Sequence, residues 1–81
     1  MTNSRIEQLR ILLKKDPNNP LGRYGLANEL FKSELYEEAI VEIEEYLELK
    51  DDEGAVYRML AECHIRTGNI ENAKEAYAKG I

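Results

Sequence analysis

Apolar residues recur at spacings of three and four along most of the chain, which is the periodicity of one face of an α-helix. The clearest stripe lies in residues 36–49, where the apolar positions are Tyr36, Ala39, Ile40, Ile43, Tyr46 and Leu47. No stretch alternates polar and apolar residues for long, so no strand is predicted. The pattern therefore predicts an all-α chain.

Short breaks divide this pattern into five helices. The segment DPNNP, residues 16–20, ends the first helix, because a residue that precedes proline avoids the helical region. Asn19 can cap a second helix that carries Pro20 in its first turn. We expect the second and third helices to cover about 21–33 and 36–49.

The last two helices have their own start and stop signals. Asp51 or Asp52 can cap a fourth helix that ends near Thr67. Gly68 then supplies the left-handed residue that closes a helix, and Asn69 can cap a fifth.

The chain also repeats itself at an interval of 34 residues. A shift by that interval places Leu26 on Leu60, Ala27 on Ala61, Glu37 on Glu71 and Ala39 on Ala73. The apolar identities fall where two helices of a pair have to approach closely, and alanine permits that approach. The repeat is therefore physically meaningful.

A two-helix repeat of 34 residues, with Leu-Ala in its first helix and Ala early in its second, resembles the tetratricopeptide repeat. The resemblance implies antiparallel helix-turn-helix units stacked as a short right-handed α-solenoid. It divides a single domain, 1–81, into a leading helix at 4–15, a first repeat at 20–53 and a second, truncated repeat at 54–81. The leading helix is similar to the second helix of a preceding repeat.

Three positions depart from the family pattern. Glu34 stands where the first repeat would carry its turn glycine, whereas the second repeat has Gly68 there. A positive φ at a residue with a side chain costs on the order of 1 kcal/mol. Tyr46 stands where a small residue is usual, and Asp51 stands where proline is usual.

The resemblance also implies where a partner binds. In this family the first helices of the repeats line a concave groove that receives an extended peptide or a helix. The predicted groove residues are Tyr24, Asn28, Phe31, Lys32, Arg58, Glu62, Ile65 and Arg66. The alternative is a structural or self-associating subunit, in which these positions or the helix ends stack against another copy.

Some members hold a partner's C-terminus in a carboxylate clamp, and this clamp is incomplete here. Asn28 matches one clamp position, but Tyr24, Ala55 and Met59 replace the lysines and the second asparagine. Recognition of such a C-terminal tail is therefore not predicted for this chain.

Charge narrows the class of partner. The net charge is −5, and residues 36–53 carry nine acidic side chains against Lys50 alone. This sign disfavours nucleic acid, which normally needs a basic face. The predicted groove carries Lys32, Arg58 and Arg66 against Glu62, so we expect a protein or peptide partner that is acidic or carboxylate-bearing. The alternative partner is a second copy of the chain.

The glutamate-rich helix predicted at 36–49 is a second candidate site, in this case for metal binding. Its glutamates at Glu38, Glu42 and Glu45 share one outward face, and Glu37, Glu44 and Glu48 lie nearby. Carboxylates that bind a metal usually point into a protected cleft, so we predict a solvated face and no metal.

Cys63 and His64 are the only cysteine and histidine, and they are adjacent. Neighbours on a helix point about 100° apart, so they cannot act as nucleophile and base toward each other. The 34-residue shift places His64 on Leu30, a core position, and Cys63 on Glu29, which predicts exposure. We therefore predict no enzyme, no cofactor and no metal site.

Composition indicates the compartment. A single cysteine cannot form an internal disulfide, which fits a reducing environment. The longest apolar run has three residues, far short of the roughly 20 that a membrane span needs. The residues at the start of the sequence lack the apolar stretch of a signal peptide. We expect a cytoplasmic protein without a membrane partner.

Overall fold

The computed structural model describes residues 4–50 and 54–79, and these residues form five α-helices. The helices are α1 (Ser4–Lys15), α2 (Pro20–Lys32), α3 (Tyr36–Leu49), α4 (Gly54–Arg66) and α5 (Ile70–Lys79). Within those two ranges no residue lies in a strand. The prediction of an all-α chain with five helices is confirmed.

The start of α2 follows from its cap. The side chain of Asn19 accepts a hydrogen bond from the Gly22 backbone N–H at 3.1 Å, and Pro20 is the first helical residue. This satisfies one of the donors that a helix start leaves without a partner. The Asn19 cap is confirmed, whereas the cap predicted at Asp51 or Asp52 lies outside the described residues.

The helices pack in two close pairs. The most extensive packing joins α2 to α3 and α4 to α5, while α1 packs on α2 and α3 packs on α4. Each pair buries two alanines at equivalent positions of the 34-residue repeat: Ala27 and Ala39 in the first pair, Ala61 and Ala73 in the second. Small side chains let two helix backbones approach each other. Alanines at equivalent positions of the two repeats therefore explain why both helix pairs pack closely. The chain is an all-α helical repeat.

The turn between α2 and α3 closes with a left-handed residue. Leu35 N–H donates to the Leu30 carbonyl at 2.9 Å, and Glu34 N–H donates to the Phe31 carbonyl at 3.1 Å. This pair of bonds is the Schellman motif, in which the residue after the cap takes a positive φ. Glu34 has φ 61°, so it adopts the left-handed conformation at the position where the family pattern has glycine.

The turn between α4 and α5 repeats this geometry 34 residues later. Asn69 N–H donates to the His64 carbonyl at 2.7 Å, and Gly68 N–H donates to the Ile65 carbonyl at 3.1 Å. Gly68 has φ 84°, a conformation that glycine adopts without steric cost. The two turns therefore share one backbone path, and only the first is strained by its side chain.

The first helix packs on α2. A Cβ at Gly22 would lie 3.1 Å from Cδ2 of Leu13, so the glycine allows α1 to approach α2 closely. Ile6 and Leu13 of α1 are buried in the common core. The helix thus lies against the first pair as the second helix of a preceding repeat would.

Replacing Glu34 with glycine should stabilise the fold. The substitution removes the cost of a positive φ, and we expect the free energy of unfolding to rise by about 1 kcal/mol. Urea unfolding followed by circular dichroism measures this change.

Gly68→Ala is the matched control. A Cβ at Gly68 meets no atom within 4 Å, so the substitution tests the backbone conformation rather than packing. We expect a loss of about 1 kcal/mol. Equal stabilities of wild type and Glu34→Gly would contradict this account of the turn.

Candidate functional site

The ends of α2 and α4 meet around Tyr36, the first residue of α3. The ring of Phe31 meets the Tyr36 ring edge-on, with centroids 5.7 Å apart. The guanidinium of Arg66 lies 5.8 Å from the centroid of the same ring. Arg66 also forms an ion pair with Glu62 at 3.6 Å. Three predicted groove residues are thus brought together, and Tyr36 joins them as a residue that the sequence analysis treated as packing.

Tyr24 is held by a residue that departs from the family pattern. Its ring and that of Tyr46 have centroids 5.6 Å apart, at an interplanar angle of 45°. Tyr46 is buried, whereas Tyr24 remains partly exposed. The large residue at position 46 therefore supports an aromatic ring on the surface of α2.

The other predicted groove residues lie on the surfaces of α2 and α4. No hydrogen bond or ion pair among these described residues links the two helices. Ile65 and Arg58 are exposed on α4, and Asn28 is half-buried on α2. Lys32 lies 4.0 Å from the Glu29 carboxylate on its own helix. Among the described residues Arg58 has no ion-pair partner, so the least compensated positive charge on this surface belongs to Arg58.

The acidic face of α3 is not uniformly solvated. Arg23 of α2 donates to the Glu42 carboxylate at 2.7 Å and lies 3.2 Å from that of Glu45. The Glu42 side chain is only 13% exposed, so the prediction that it lies on a solvated face is wrong. Arg10 of α1 pairs with Glu38 at 3.5 Å. The sequence signal that could have found this network is Arg23, a cation on an otherwise apolar stretch of α2.

A cleft of about 540 Å³ lies between α3, α4 and α5, on a different side of α3 from this network. Each of the three helices contributes lining residues that are mostly three or four positions apart and therefore lie along one side of that helix. The lining residues are Glu44, Leu47, Glu48, Tyr57, Leu60, His64, Asn72, Glu75, Ala76 and Lys79. We call this feature the outer cleft.

His64 forms part of the wall of the outer cleft. The side chain is 7% exposed, so its predicted core position agrees with the structure. Its Nδ1 is buried and has no hydrogen-bond partner among the described residues. A buried nitrogen without a partner costs about 1–3 kcal/mol. The repeat pattern predicts the core position of His64 but does not indicate the cleft that this residue lines.

Cys63 is fully buried, at 0% exposure, so the prediction that it lies near an exposed edge is wrong. Its counterpart Glu29 explains the error, because the Glu29 side chain is itself only 16% exposed and pairs with Arg5 of α1 at 3.2 Å. Burial raises the pKa of the Cys63 thiol to about 11, and the neighbouring Glu62 carboxylate adds to the rise. A reactive cysteine needs the opposite shift.

In residues 4–50 and 54–79 no group of His, Cys, Asp and Glu side chains is arranged to hold a metal ion. None of the helices in those ranges combines the length and the apolar character needed to cross a bilayer.

A comparison with known protein families gives a match. The sequence model of a family described as tetratricopeptide repeat matches residues 30–81, well over half of the 81-residue chain. The matched region begins within α2 and includes the turns at Glu34 and Gly68. No curated protein matches the chain.

The native Cys63 thiol should react slowly. At pH 8 a pKa of about 11 leaves about a hundredfold less thiolate than the ordinary value of 9.0. We expect modification by 5,5′-dithiobis(2-nitrobenzoic acid) to be at least that much slower in the folded chain than in the chain unfolded in urea. Equal rates would contradict this prediction and revive a nucleophilic role for Cys63.

Proposed function

The chain belongs to the tetratricopeptide repeat family, whose repeats are generally protein–protein interaction modules, and we propose that it binds a peptide or helix segment of a partner protein along the surface of α2 and α4. We call this surface the α2–α4 face, lined by Tyr24, Asn28, Phe31, Lys32, Arg58, Glu62, Ile65 and Arg66. In this proposal 4–15 is a leading helix, and 20–53 and 54–81 are the two repeats.

The arrangement around Tyr36 is the observation that carries the proposal. Phe31 on α2 and Arg66 on α4 contact the same ring, so the two helices present their ends beside one another. Aromatic and arginine side chains are the residues that most often dominate binding energy at protein interfaces. Rings already held by neighbours also lose little conformational freedom on binding.

Apolar side chains on the same surface offer anchor points. Tyr24, Leu35 and Ile65 are each partly exposed. A helical or extended ligand is read through a few apolar anchors spaced along its length. The α2–α4 face therefore suits a segment with one or two apolar side chains.

Charge favours an acidic or carboxylate-bearing segment. On the α2–α4 face, Arg58 is exposed and has no ion-pair partner among the described residues, whereas Arg66 and Lys32 each lie near a glutamate of their own helix. A ligand carboxylate can pair with Arg58 in a bidentate manner. The acids of α3 would repel such a ligand and help to orient it toward the α2–α4 face.

Two substitutions on this face should abolish partner binding. Phe31→Ala removes the aromatic contact, and Arg58→Glu reverses the unpaired charge. We expect the immobilised double variant to lose the proteins that the wild type captures from a cell lysate, quantified by mass spectrometry. Circular dichroism should remain helical, because Arg58 is exposed and Phe31 is only partly buried.

The matched control combines Val41→Ala with Lys14→Glu, which removes one exposed apolar side chain and reverses one exposed charge elsewhere. We expect it to capture the same proteins as the wild type.

For a purified partner, raising salt from low to physiological should slow association several-fold with little effect on dissociation, because exposed charges are screened over about 8–10 Å. Retained capture by the double variant, or a basic partner, would contradict the proposal.

Self-association is the second candidate, and one observation favours it. Tyr77 on α5 is 42% exposed, whereas its counterpart Ile43 on α3 is fully buried at 0%. The side chain that is buried on α3 therefore has an exposed counterpart on α5, 34 residues later in the sequence. This exposed side chain could pack against a second copy of the chain.

Sedimentation velocity separates the two candidates. Self-association through α5 predicts a sedimentation coefficient that rises with concentration and a Tyr77→Lys variant that abolishes the rise. We expect a monomer at all concentrations for a chain that binds a different protein. A concentration-dependent increase would favour the self-associating subunit.

A further inference from the structure

We propose that the outer cleft between α3, α4 and α5 is a second binding site, which takes an arginine-containing peptide segment of a partner protein. It involves none of the residues assigned to the α2–α4 face and prefers a ligand of the opposite charge. The inference is therefore independent of the function proposed above.

The distribution of ion pairs on α3 is the first observation. Glu38, Glu42 and Glu45 are paired with arginines of α1 and α2. Glu44 and Glu48, one helical turn apart on the cleft side, have no ion-pair partner among the described residues. The tertiary structure thus neutralises one side of the acidic helix and leaves the other side charged.

The opposite wall adds to this charge. Glu75 of α5 lines the cleft and has no ion-pair partner in residues 4–50 and 54–79, and Lys79 of the same helix is the only cation among the lining residues. Three carboxylates against one ammonium leave the cleft negative. A cationic ligand is attracted by this arrangement, and an acidic one is repelled.

His64 is the second, independent observation. Its ring lines the cleft while being nine-tenths buried, and its Nδ1 has no partner among the described residues. Buried polar groups normally find a hydrogen-bond partner within the protein. In the first repeat the equivalent position is Leu30, which makes a fully apolar core. The second repeat thus places a hydrogen-bonding group without a partner in the wall of the cleft, and in our proposal the ring turns on ligand binding so that this nitrogen reaches the ligand.

The chemistry of the walls favours arginine over other cations. A guanidinium is planar and offers several N–H donors, so it can bridge carboxylates that lie on different helices. The aromatic ring of Tyr57 lines the same cleft and can accept the flat face of a guanidinium. Leu47 of α3 is only partly buried and provides apolar surface for the aliphatic part of the side chain.

The experiment is a titration of the isotope-labelled full chain with the blocked tripeptide Arg-Leu-Arg, followed by amide and imidazole NMR shifts at low salt. We expect shifts at Glu44, Glu48, Tyr57, His64 and Glu75. The Glu44→Gln/Glu48→Gln variant should bind the peptide at least about fivefold more weakly, because two charge-assisted contacts are lost. The same tripeptide with citrulline in place of arginine has nearly the same shape without the charge and should not bind.

A matched variant controls for general attraction to an acidic protein. Glu7→Gln/Asp16→Asn removes two exposed carboxylates of the first helix and its following turn, so the net charge changes equally. We expect its affinity for the peptide to stay within about twofold of wild type, because distant charges are screened. Equal weakening by both double variants, or shifts confined to the α2–α4 face, would overturn the proposal.

His64→Leu separates a binding role from a folding role. Removing the unpartnered nitrogen should raise the urea midpoint of unfolding, and it should also weaken peptide binding several-fold. A variant that is more stable and yet binds less cannot owe its loss to unfolding. Unchanged affinity in this variant would overturn the assignment of the outer cleft. None of these variants alters the α2–α4 face, so this test can fail without affecting the proposed function.

Discussion

The close approach of two helices within each pair is the constraint on which the rest of this structure depends. Ala27 and Ala39 are buried in the first pair, and Ala61 and Ala73 are buried in the second. Close antiparallel helices need a tight connection, and both connections use a residue with positive φ. The identical turn at Glu34 and Gly68 therefore follows from the packing, even though a glutamate adopts that conformation at some cost.

The same packing decides where the charges lie. Because α3 is held against α2, Arg23 reaches Glu42 and Glu45, and the ion pair with Glu42 is largely removed from water. Glu44 and Glu48 are turned toward α4 and α5, where no cation of the described residues pairs with them. An acidic helix thus acquires a neutralised side and a charged side. The two binding surfaces that we propose would accordingly favour ligands of opposite charge.

The candidate site was predictable in part. The resemblance to the tetratricopeptide repeat implied a set of surface positions on α2 and α4, and three of them, Phe31, Glu62 and Arg66, lie together around Tyr36. Tyr36 was missed because its spacing on α3 fits a packing residue equally well. The outer cleft was missed because three helices build it, and the periodicity of one helix does not indicate what faces its polar side.

The sequence by itself determined the number of helices, the Asn19 cap, the left-handed residue at Gly68 and the core position of His64. These are local properties or consequences of a repeat, so they depend on spacing and residue type alone. Only the tertiary structure decided that Cys63 is buried, that Glu42 pairs with Arg23 and that His64 lines a cleft with an unpartnered nitrogen. The physical reason is that burial and pairing depend on the neighbouring helix. Glu29 and Cys63 occupy equivalent positions, yet one meets an arginine of α1 and the other lies in the core.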